Sequence, residues 1–167
     1  LWSAFQCAIQ FKEGPSVFIL SRQTLNYIDT IPQNDKLRGS ERGAYIIRPE
    51  TKPLTTLIIA TGSEVELALK TANLLGTSTR VVSMPSCEIF LRQEAEYQEK
   101  ILPSTCKKRI AIEAASSLSW HRFVGSDGLV IGIDRFGISA PAASIFNTFH
   151  LTPELCAQKI KTHEPSS

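Results

Sequence analysis

The chain has 167 residues, the size of one ordinary domain with additional material attached. It is 43% hydrophobic and 20% charged, a composition typical of soluble globular proteins. A formal net charge of +2 and scattered basic residues argue against nucleic acid and anionic membrane surfaces as partners. No apolar run reaches the length of a membrane span, and no signal-peptide pattern opens the chain.

The cysteine and histidine residues are few and widely separated, without the short spacings of a zinc site or a disulfide framework. Their positions predict reduced, mostly buried thiols in a cytoplasmic protein, and no metal site. The residues concerned are Cys7, Cys87, Cys106, Cys156, His121, His150 and His163.

Residues 1–23 have the pattern of a helix followed by a strand. Trp2, Phe5 and Ile9 recur at helical spacing. Val17–Leu20 is a continuous apolar run, typical of a strand that is covered on both faces. One helix and one strand cannot bury such surfaces by themselves. Together with the missing initiator Met, this pattern predicts the remnant of an upstream α/β domain.

Residues 24–53 are polar and charged, and they are interrupted by Pro32, Gly39 and Gly43. This composition predicts a linker. A short strand is expected within it at Ala44–Ile47.

Residues 54–167 alternate between strand and helix patterns. This alternation predicts a three-layer α/β/α domain with a mostly parallel sheet and helices on both faces. Strands are predicted near residues 54–60, 79–84, 109–114 and 129–133. Helices are predicted near residues 61–75, 89–101, 116–125, 140–149 and 152–161.

The turn "ATGSEVE" joins the first of these strands to its helix and permits two interpretations. A glycine-containing turn before a helix can bind an anion on exposed backbone N–H groups. Ser63 and Glu66 also fit a capping box, in which each side chain accepts from a free N–H group of the first turn. Because the sequence contains no G-x-G-x-x-G or Walker motif, capping is the favoured interpretation.

Three other polar positions are interpreted as structural. Glu113 follows a predicted strand, where α/β sheets present functional side chains, but a lone carboxylate there can cap the next helix or pair with an arginine. His121 lies in a predicted helix between two aromatic residues, which favours a packed or interface histidine. Thr152 and Pro153 fit an N-cap residue followed by proline at the first helical position. The sequence shows no nucleophile elbow, metalloprotease motif or carboxylate pair, so no catalytic residue is assigned.

Arg22 is the remaining candidate. It follows the predicted strand Val17–Leu20 at its carboxyl end, the edge where open α/β sheets bind ligands. A planar, always-charged guanidinium group is suited to bidentate phosphate recognition. An interdomain ion pair explains its position equally well, so spacing alone leaves both alternatives open.

Several short motifs occur together in the order and spacing of one family. They are "GPSVFILSRQTL", "IIATGSEVELAL", "RVVSMPS", "RIAIEA" and "FGISAPA". In this arrangement the sequence resembles the C-terminal part of transketolase, over nearly the whole chain. "ATGSEV" alone is shared with other thiamine diphosphate enzymes, whereas "LSRQ" with "SMPS" and "FG-x-SAPA" points to transketolase itself.

The resemblance implies that residues 1–23 end a central pyrimidine-binding domain, residues 24–53 form a linker, and residues 54–167 form the C-terminal domain. It implies a transferase that moves a two-carbon ketol unit between ketose and aldose phosphates in the pentose phosphate pathway. It further implies a cytoplasmic homodimer. Arg22 matches the family's arginine that binds the phosphate group of the substrate.

The resemblance also implies thiamine diphosphate with Mg²⁺ or Ca²⁺ in the full-length enzyme. The family's cofactor ligands belong to the upstream region and no residue here matches them, so this chain alone is expected to be inactive and to bind no cofactor. Two alternatives stay open. One is a non-catalytic dimerisation or regulatory α/β module. The other is the corresponding domain of a 2-oxo-acid dehydrogenase β subunit or of deoxyxylulose phosphate synthase.

Overall fold

A computed structural model of the chain describes residues 2–21 and 23–165. The helices are α1 (Trp2–Gln10), α2 (Gln33–Glu41), α3 (Glu64–Leu75), α4 (Cys87–Leu91), α5 (Ala95–Ile101), α6 (His121–Val124), α7 (Ala142–Thr148) and α8 (Pro153–Thr162). The strands are β1 (Tyr45–Arg48), β2 (Thr56–Ala60), β3 (Thr79–Ser83), β4 (Arg109–Ile112) and β5 (Leu129–Ile131). One 3-10 turn, Ser117–Ser119, precedes α6.

The five strands form one sheet in the order β1-β3-β2-β4-β5. β2 lies at the centre and pairs in parallel with both β3 and β4, and β4 pairs in parallel with β5. β1 is antiparallel to β3 and lies at one edge of the sheet. The mostly parallel sheet that the strand–helix alternation predicts is therefore confirmed.

Alternate residues of β2 enter two hydrophobic clusters, one on each face of the sheet. Ile58 and Ala60 pack in a cluster with residues of α3 and α8. Leu57 and Ile59 pack on the other face with residues of α4, α5 and α6. Because strand side chains point alternately to two faces, a strand covered on both needs an unbroken apolar run. The predicted three-layer α/β/α architecture is confirmed.

A largely buried ion pair ties the antiparallel edge to the rest of the domain. Arg80 of β3 donates from Nη2 to Oε1 of Glu50 at 2.5 Å, and from Nε to Oε2 of Glu50 at 2.8 Å. Its Nη1 donates to the carbonyl oxygens of Lys100 and Ile101 at the end of α5. The hydrogen bonds that Glu50 accepts from Arg80 lower the pKa of Glu50. The bidentate pairing with Glu50 and the hydrogen bonds to the carbonyl oxygens offset the free-energy cost of removing the guanidinium group from water.

The segment assigned to a linker contains regular secondary structure. Both α2 and β1 lie within residues 24–53, and β1 pairs with β3. The strand expected at Ala44–Ile47 is found, shifted by one residue. The sheet therefore begins at Tyr45, ahead of the boundary expected at residue 54. The assignment of the three segments to domains stays a prediction.

Residues 17–20 do not form the predicted strand, and that prediction is wrong. They lie outside any helix or strand, and Val17, Ile19 and Leu20 are 83%, 95% and 63% exposed. A strand needs neighbouring backbone N–H and C=O groups, and this segment pairs with no strand of the described sheet. Phe18 stacks on Phe5 of α1, with 4.8 Å between the ring centroids.

The helical predictions hold in position but differ in length. The helix expected near residues 89–101 is divided into α4 and α5, and the one expected near residues 116–125 is a 3-10 turn followed by α6. The predicted start of α8 is confirmed: Oγ1 of Thr152 accepts from the backbone N–H of Leu155, and Pro153 occupies the first turn. Among the helices of the described residues, none has the length and apolar character needed to cross a bilayer.

Gly43 is a position where the fold admits no side chain. Its φ of +84° lies in the left-handed region, and an added Cβ atom would collide with the backbone nitrogen of Phe90 and the carbonyl oxygen of Ser86. We expect Gly43→Ala to lower the free energy of unfolding by about 3 kcal/mol or more, because it combines backbone strain with a backbone clash. Urea denaturation followed by circular dichroism measures this change.

Gly62→Ala is the matched control. Gly62 also has a positive φ of +52°, but no described atom lies within 4 Å of an added Cβ. This variant should lose only the strain contribution, about 1 kcal/mol. Equal losses for the two variants would contradict the close packing of Gly43 against α4.

Candidate functional site

The carboxyl ends of β2 and β4 lie at the point where the chain connections of the sheet diverge. The connection after β2 leads through α3 to β3, whereas the connection after β4 leads to β5 on the other side. In open α/β sheets this switch point is the usual position of a binding crevice. Glu64 begins α3, Glu113 directly follows β4, and Cys87 begins α4 after β3. We name these three residues the carboxyl-edge cluster.

The turn between β2 and α3 does not form the predicted capping box. Ser63 has helical dihedral angles (φ −64°, ψ −29°), and no backbone N–H group donates to its side chain. Its hydroxyl donates instead to Oε1 of Glu64 at 2.9 Å. Glu66 accepts from Asn26 at 3.1 Å and forms an ion pair with Lys70. The capping interpretation is wrong because a capping serine needs an extended conformation, which Ser63 does not have.

Glu64 is a carboxyl group that is only 5% exposed. Burial raises its pKa, and hydrogen bonds from Ser63 and from the backbone N–H of Ala114 act in the opposite direction. It lies in the first turn of α3, where the helix dipole favours negative charge. An external anion at this helix end would therefore meet an acidic group of the protein itself, which argues against the anion-binding alternative for "ATGSEVE".

Glu113 has neither of the structural roles expected from the sequence. The 3-10 turn that follows it is capped by Ser116. In the part of the chain that the structure describes, Glu113 forms no ion pair, and its buried Oε2 atom has no hydrogen-bond partner. Burial, and in second place the nearby Glu64 carboxyl group, raise the pKa of Glu113 to about 7. The side chain can therefore exchange a proton near neutral pH.

Cys87 contributes a protonated thiol to the carboxyl-edge cluster. Burial first, then the charges of Glu88 and Glu113, raise its pKa to about 11. Its Sγ atom lies 3.6 Å from Sδ of Met84. Reactive cysteines have lowered pKa values and are found beside positive charges. Cys87 has the opposite surroundings, so the geometry argues against a nucleophilic role.

The expectation that the chain contains no carboxylate pair is wrong. Glu64 and Glu113 interact because the strands that precede them, β2 and β4, are neighbours in the sheet. Part of the evidence for this pair is present in the sequence, since each of the two glutamates closely follows a predicted buried strand. The missing information is the strand order that places the two ends side by side. One buried and one partly buried carboxyl group in this arrangement favour retention of a proton and disfavour a phosphate ligand.

The other sequence candidates are not part of this cluster. His121 is exposed at the start of α6, whereas the neighbouring Trp120 and Phe123 are buried. The packed-histidine alternative is therefore wrong within this chain, and the interface alternative stays a prediction. Arg22 lies outside the described residues, so its assignment to phosphate binding also stays a prediction.

The described residues do not fit a diphosphate bound through a metal ion. Within residues 2–21 and 23–165, no group of three His, Cys, Asp or Glu side chains is placed to hold a metal. At the switch point of the sheet, Glu64 and Glu113 would repel a diphosphate. All four cysteines are free thiols; Cys106 and Cys156 are buried and the other two are partly buried.

Glu113→Gln should stabilise the protein at alkaline pH and have little effect at acidic pH. The pKa of Glu113 is raised from 4.5 to about 7 in the folded state. The folded protein therefore holds the extra proton, and the resulting stability is fully present below pH 4.5 and is lost as the pH rises through 7. The glutamine keeps the shape without the charge. After discounting for partial exposure, we expect a gain of about 1 kcal/mol at pH 8.

Thermal unfolding at pH 5 and pH 8 measures this difference, which corresponds to a rise in Tm of about 2–4 °C at the higher pH. Glu13→Gln serves as the control because Glu13 is exposed. A gain of equal size at both pH values would show that titration of Glu113 is not its cause.

The chain is similar in sequence to curated transketolases. It is 44% identical over 151 residues to the transketolase of Physarum polycephalum and 46% identical over 152 residues to that of Dictyostelium discoideum. These alignments cover 90% and 91% of this chain, but 23% of each relative. The chain therefore spans about a quarter of the length of the curated relatives that it matches.

The fold is similar to solved transketolases. A transketolase from Pichia stipitis in complex with sedoheptulose 7-phosphate has a TM-score of 0.86 and 29% identity, covering 96% of this chain and 23% of that one. The transketolase from Leishmania mexicana has a TM-score of 0.71 and 32% identity, covering 80% of this chain and 20% of that one. The family model described as the transketolase-like TK C-terminal domain matches residues 43–152. This match covers more than half of the sequence, and the chain therefore belongs to the transketolase family and contains its C-terminal domain.

Proposed function

We propose that this chain is the C-terminal portion of a transketolase, which transfers a two-carbon ketol unit from a ketose phosphate to an aldose phosphate. The observation that carries the proposal is the family match over residues 43–152, supported by 44–46% identity to curated transketolases. Because the chain spans about a quarter of those relatives, the activity belongs to the longer protein. That protein acts as a cytoplasmic homodimer in the pentose phosphate pathway.

The cofactor of the complete enzyme is thiamine diphosphate with Mg²⁺ or Ca²⁺, which supplies the carbanion chemistry. Family membership supports this assignment. The residues described here do not fit the cofactor, since Glu64 and Glu113 disfavour a diphosphate at the switch point. The cofactor ligands are therefore assigned to the rest of the protein.

The proposed domain order assigns residues 1–23 to the end of the central pyrimidine-binding domain, residues 24–53 to the linker and residues 54–167 to the C-terminal domain. The exposure of Val17 and Ile19 supports this order. Large β-branched side chains are suited to a sheet, and the described sheet does not include them. A sheet in the preceding part of the protein would cover them.

This chain alone should neither transfer ketol units nor bind thiamine diphosphate. The reason is the mismatch between its described side chains and a diphosphate–metal group. Titration calorimetry with thiamine diphosphate and Mg²⁺ should give no heat of specific binding, with the full-length protein as the positive control. A micromolar dissociation constant for the chain alone would contradict the assignment of the cofactor ligands.

Arg22 is the residue of this chain that we assign to the substrate, as a ligand of its phosphate group. In the complete enzyme, Arg22→Ala should lower kcat/KM for a pentulose phosphate donor about 10- to 150-fold, because a charge-assisted hydrogen bond contributes about 1.5–3 kcal/mol. Much of the loss should appear in KM, since the phosphate is remote from the reacting carbonyl. Hydroxypyruvate, a donor without phosphate, should be affected far less when glycolaldehyde is the acceptor.

Two further variants control this measurement. Arg22→Lys should recover only part of the loss, because an ammonium group keeps the charge but not the planar fork. Arg122→Ala removes an exposed arginine of α6 and should leave both donors unchanged. Equal losses for both donors in Arg22→Ala would mean that Arg22 supports the structure and does not bind phosphate.

A further inference from the structure

A concave surface elsewhere in the domain shares no residue with the carboxyl-edge cluster. It is a cavity of about 260 Å³ between α2, β1 and α5. Asp35 and Arg38 of α2 line it together with Arg42, which directly follows that helix. Tyr97 and Lys100 of α5 also line it. We name it the basic cavity.

The basic cavity has an excess of positive charge. Arg38, Arg42 and Lys100 are cationic and Asp35 is anionic, which leaves two positive charges without a balancing carboxylate in the lining. None of the three cations forms an ion pair with another residue in the described ranges. The three cationic side chains are exposed, so an anion that enters the cavity from solvent can reach them.

Arg42 is an exposed residue that contacts Tyr97 and Gln93 without using its terminal nitrogens. Its Cζ atom lies 3.4 Å from the centroid of the Tyr97 ring, a stacked cation–π contact. Its Nε donates to Oε1 of Gln93 at 3.2 Å. The Tyr97 ring is itself fixed, since its hydroxyl donates to the carbonyl oxygen of Ala44 at 2.7 Å. These contacts restrict the guanidinium group before any ligand arrives, which lowers the entropic cost of binding.

The remaining wall of the cavity is apolar and aromatic. Tyr45 and Ile46 of β1 line it. Tyr45 can approach α2 closely because Gly39 has no side chain, and a Cβ atom at Gly39 would overlap the tyrosine. A cavity lined by both cationic and aromatic side chains suits a ligand with a charged end and a carbon portion.

We propose that the basic cavity binds the phosphate group of a small phosphate monoester. Arg38, Arg42 and Lys100 bind the phosphate, and the ring of Tyr45 contacts the carbon portion. The site does not include Arg22 and serves a ligand other than the substrate at the reacting centre, so it goes beyond the proposed ketol transfer.

Charge and size favour a phosphate monoester over other anions. A phosphate monoester carries nearly two negative charges at neutral pH, which match the excess of two positive charges in the lining. A carboxylate supplies only one. Paired arginine forks also match the geometry of phosphate oxygens. The volume of about 260 Å³ is below that of pockets for drug-sized ligands, which favours a compact molecule.

Titration calorimetry with glycerol 3-phosphate tests the site in the full-length protein that contains this chain. The protein carries Arg22→Ala, so that the proposed substrate contact does not contribute to the signal. We expect a dissociation constant of about 0.1–1 mM, which increases with salt because the contact is ionic. The double variant R38Q/R42Q should weaken binding about 10-fold or more. Because no turnover is measured, the result does not depend on ketol transfer.

Single variants separate binding from folding. Lys100→Gln changes α5 and not α2, so weaker binding in this variant cannot result from local unfolding of α2. Arg42→Lys keeps the charge but loses the fork, and its affinity should lie between those of the parent protein and R38Q/R42Q. Arg122→Gln removes an exposed arginine outside the cavity and should bind as the parent protein does.

Three results would overturn the proposal. The first is no heat with glycerol 3-phosphate up to 10 times the expected dissociation constant, about 10 mM. The second is equal affinity in R38Q/R42Q and in Arg122→Gln. The third is equal affinity for glycerate, which has a carboxylate and no phosphate, because the charge argument requires the dianion to bind more tightly.

Discussion

The central strand β2 has neither an exposed face nor a free edge. All five of its residues are buried, and β3 and β4 pair with its two edges in parallel. Each large aliphatic side chain that is fully buried contributes about 1.5–3 kcal/mol. Parallel neighbours cannot be joined by tight turns, so crossover segments are needed, and these supply the helices that cover the faces of the sheet. The layered architecture follows from this one strand.

The same arrangement determines what the carboxyl edge of the sheet can do. It buries Glu64 and partly buries Glu113 beside it, so that the pKa of Glu113 rises to about 7. Such a carboxyl pair holds a proton and repels phosphate. The cations converge elsewhere, around α2 and α5, where Arg38, Arg42 and Lys100 line a cavity. In this domain, phosphate recognition is therefore proposed outside the sheet edge where α/β folds usually bind their ligands.

Much of the domain could be predicted from local patterns, and the errors have identifiable causes. The strand–helix alternation over β2, β3 and β4 predicted a mostly parallel sheet with helices on both faces, which the structure confirms. The apolar run at Val17–Leu20 has no partner strand, so its pattern alone could not produce a strand. The predicted capping box does not form because Ser63 has helical dihedral angles, which its residue type does not reveal.

The sequence by itself determined the family, the strand–helix alternation and local features such as the Thr152–Pro153 helix start, because these depend on residues close together in the chain. Only the tertiary structure decided the strand order, the meeting of Glu64 with Glu113 and the stacking of Arg42 on Tyr97. Each of these joins side chains from separate elements. Their proximity depends on how the elements pack around β2, and short-range sequence patterns do not specify that packing.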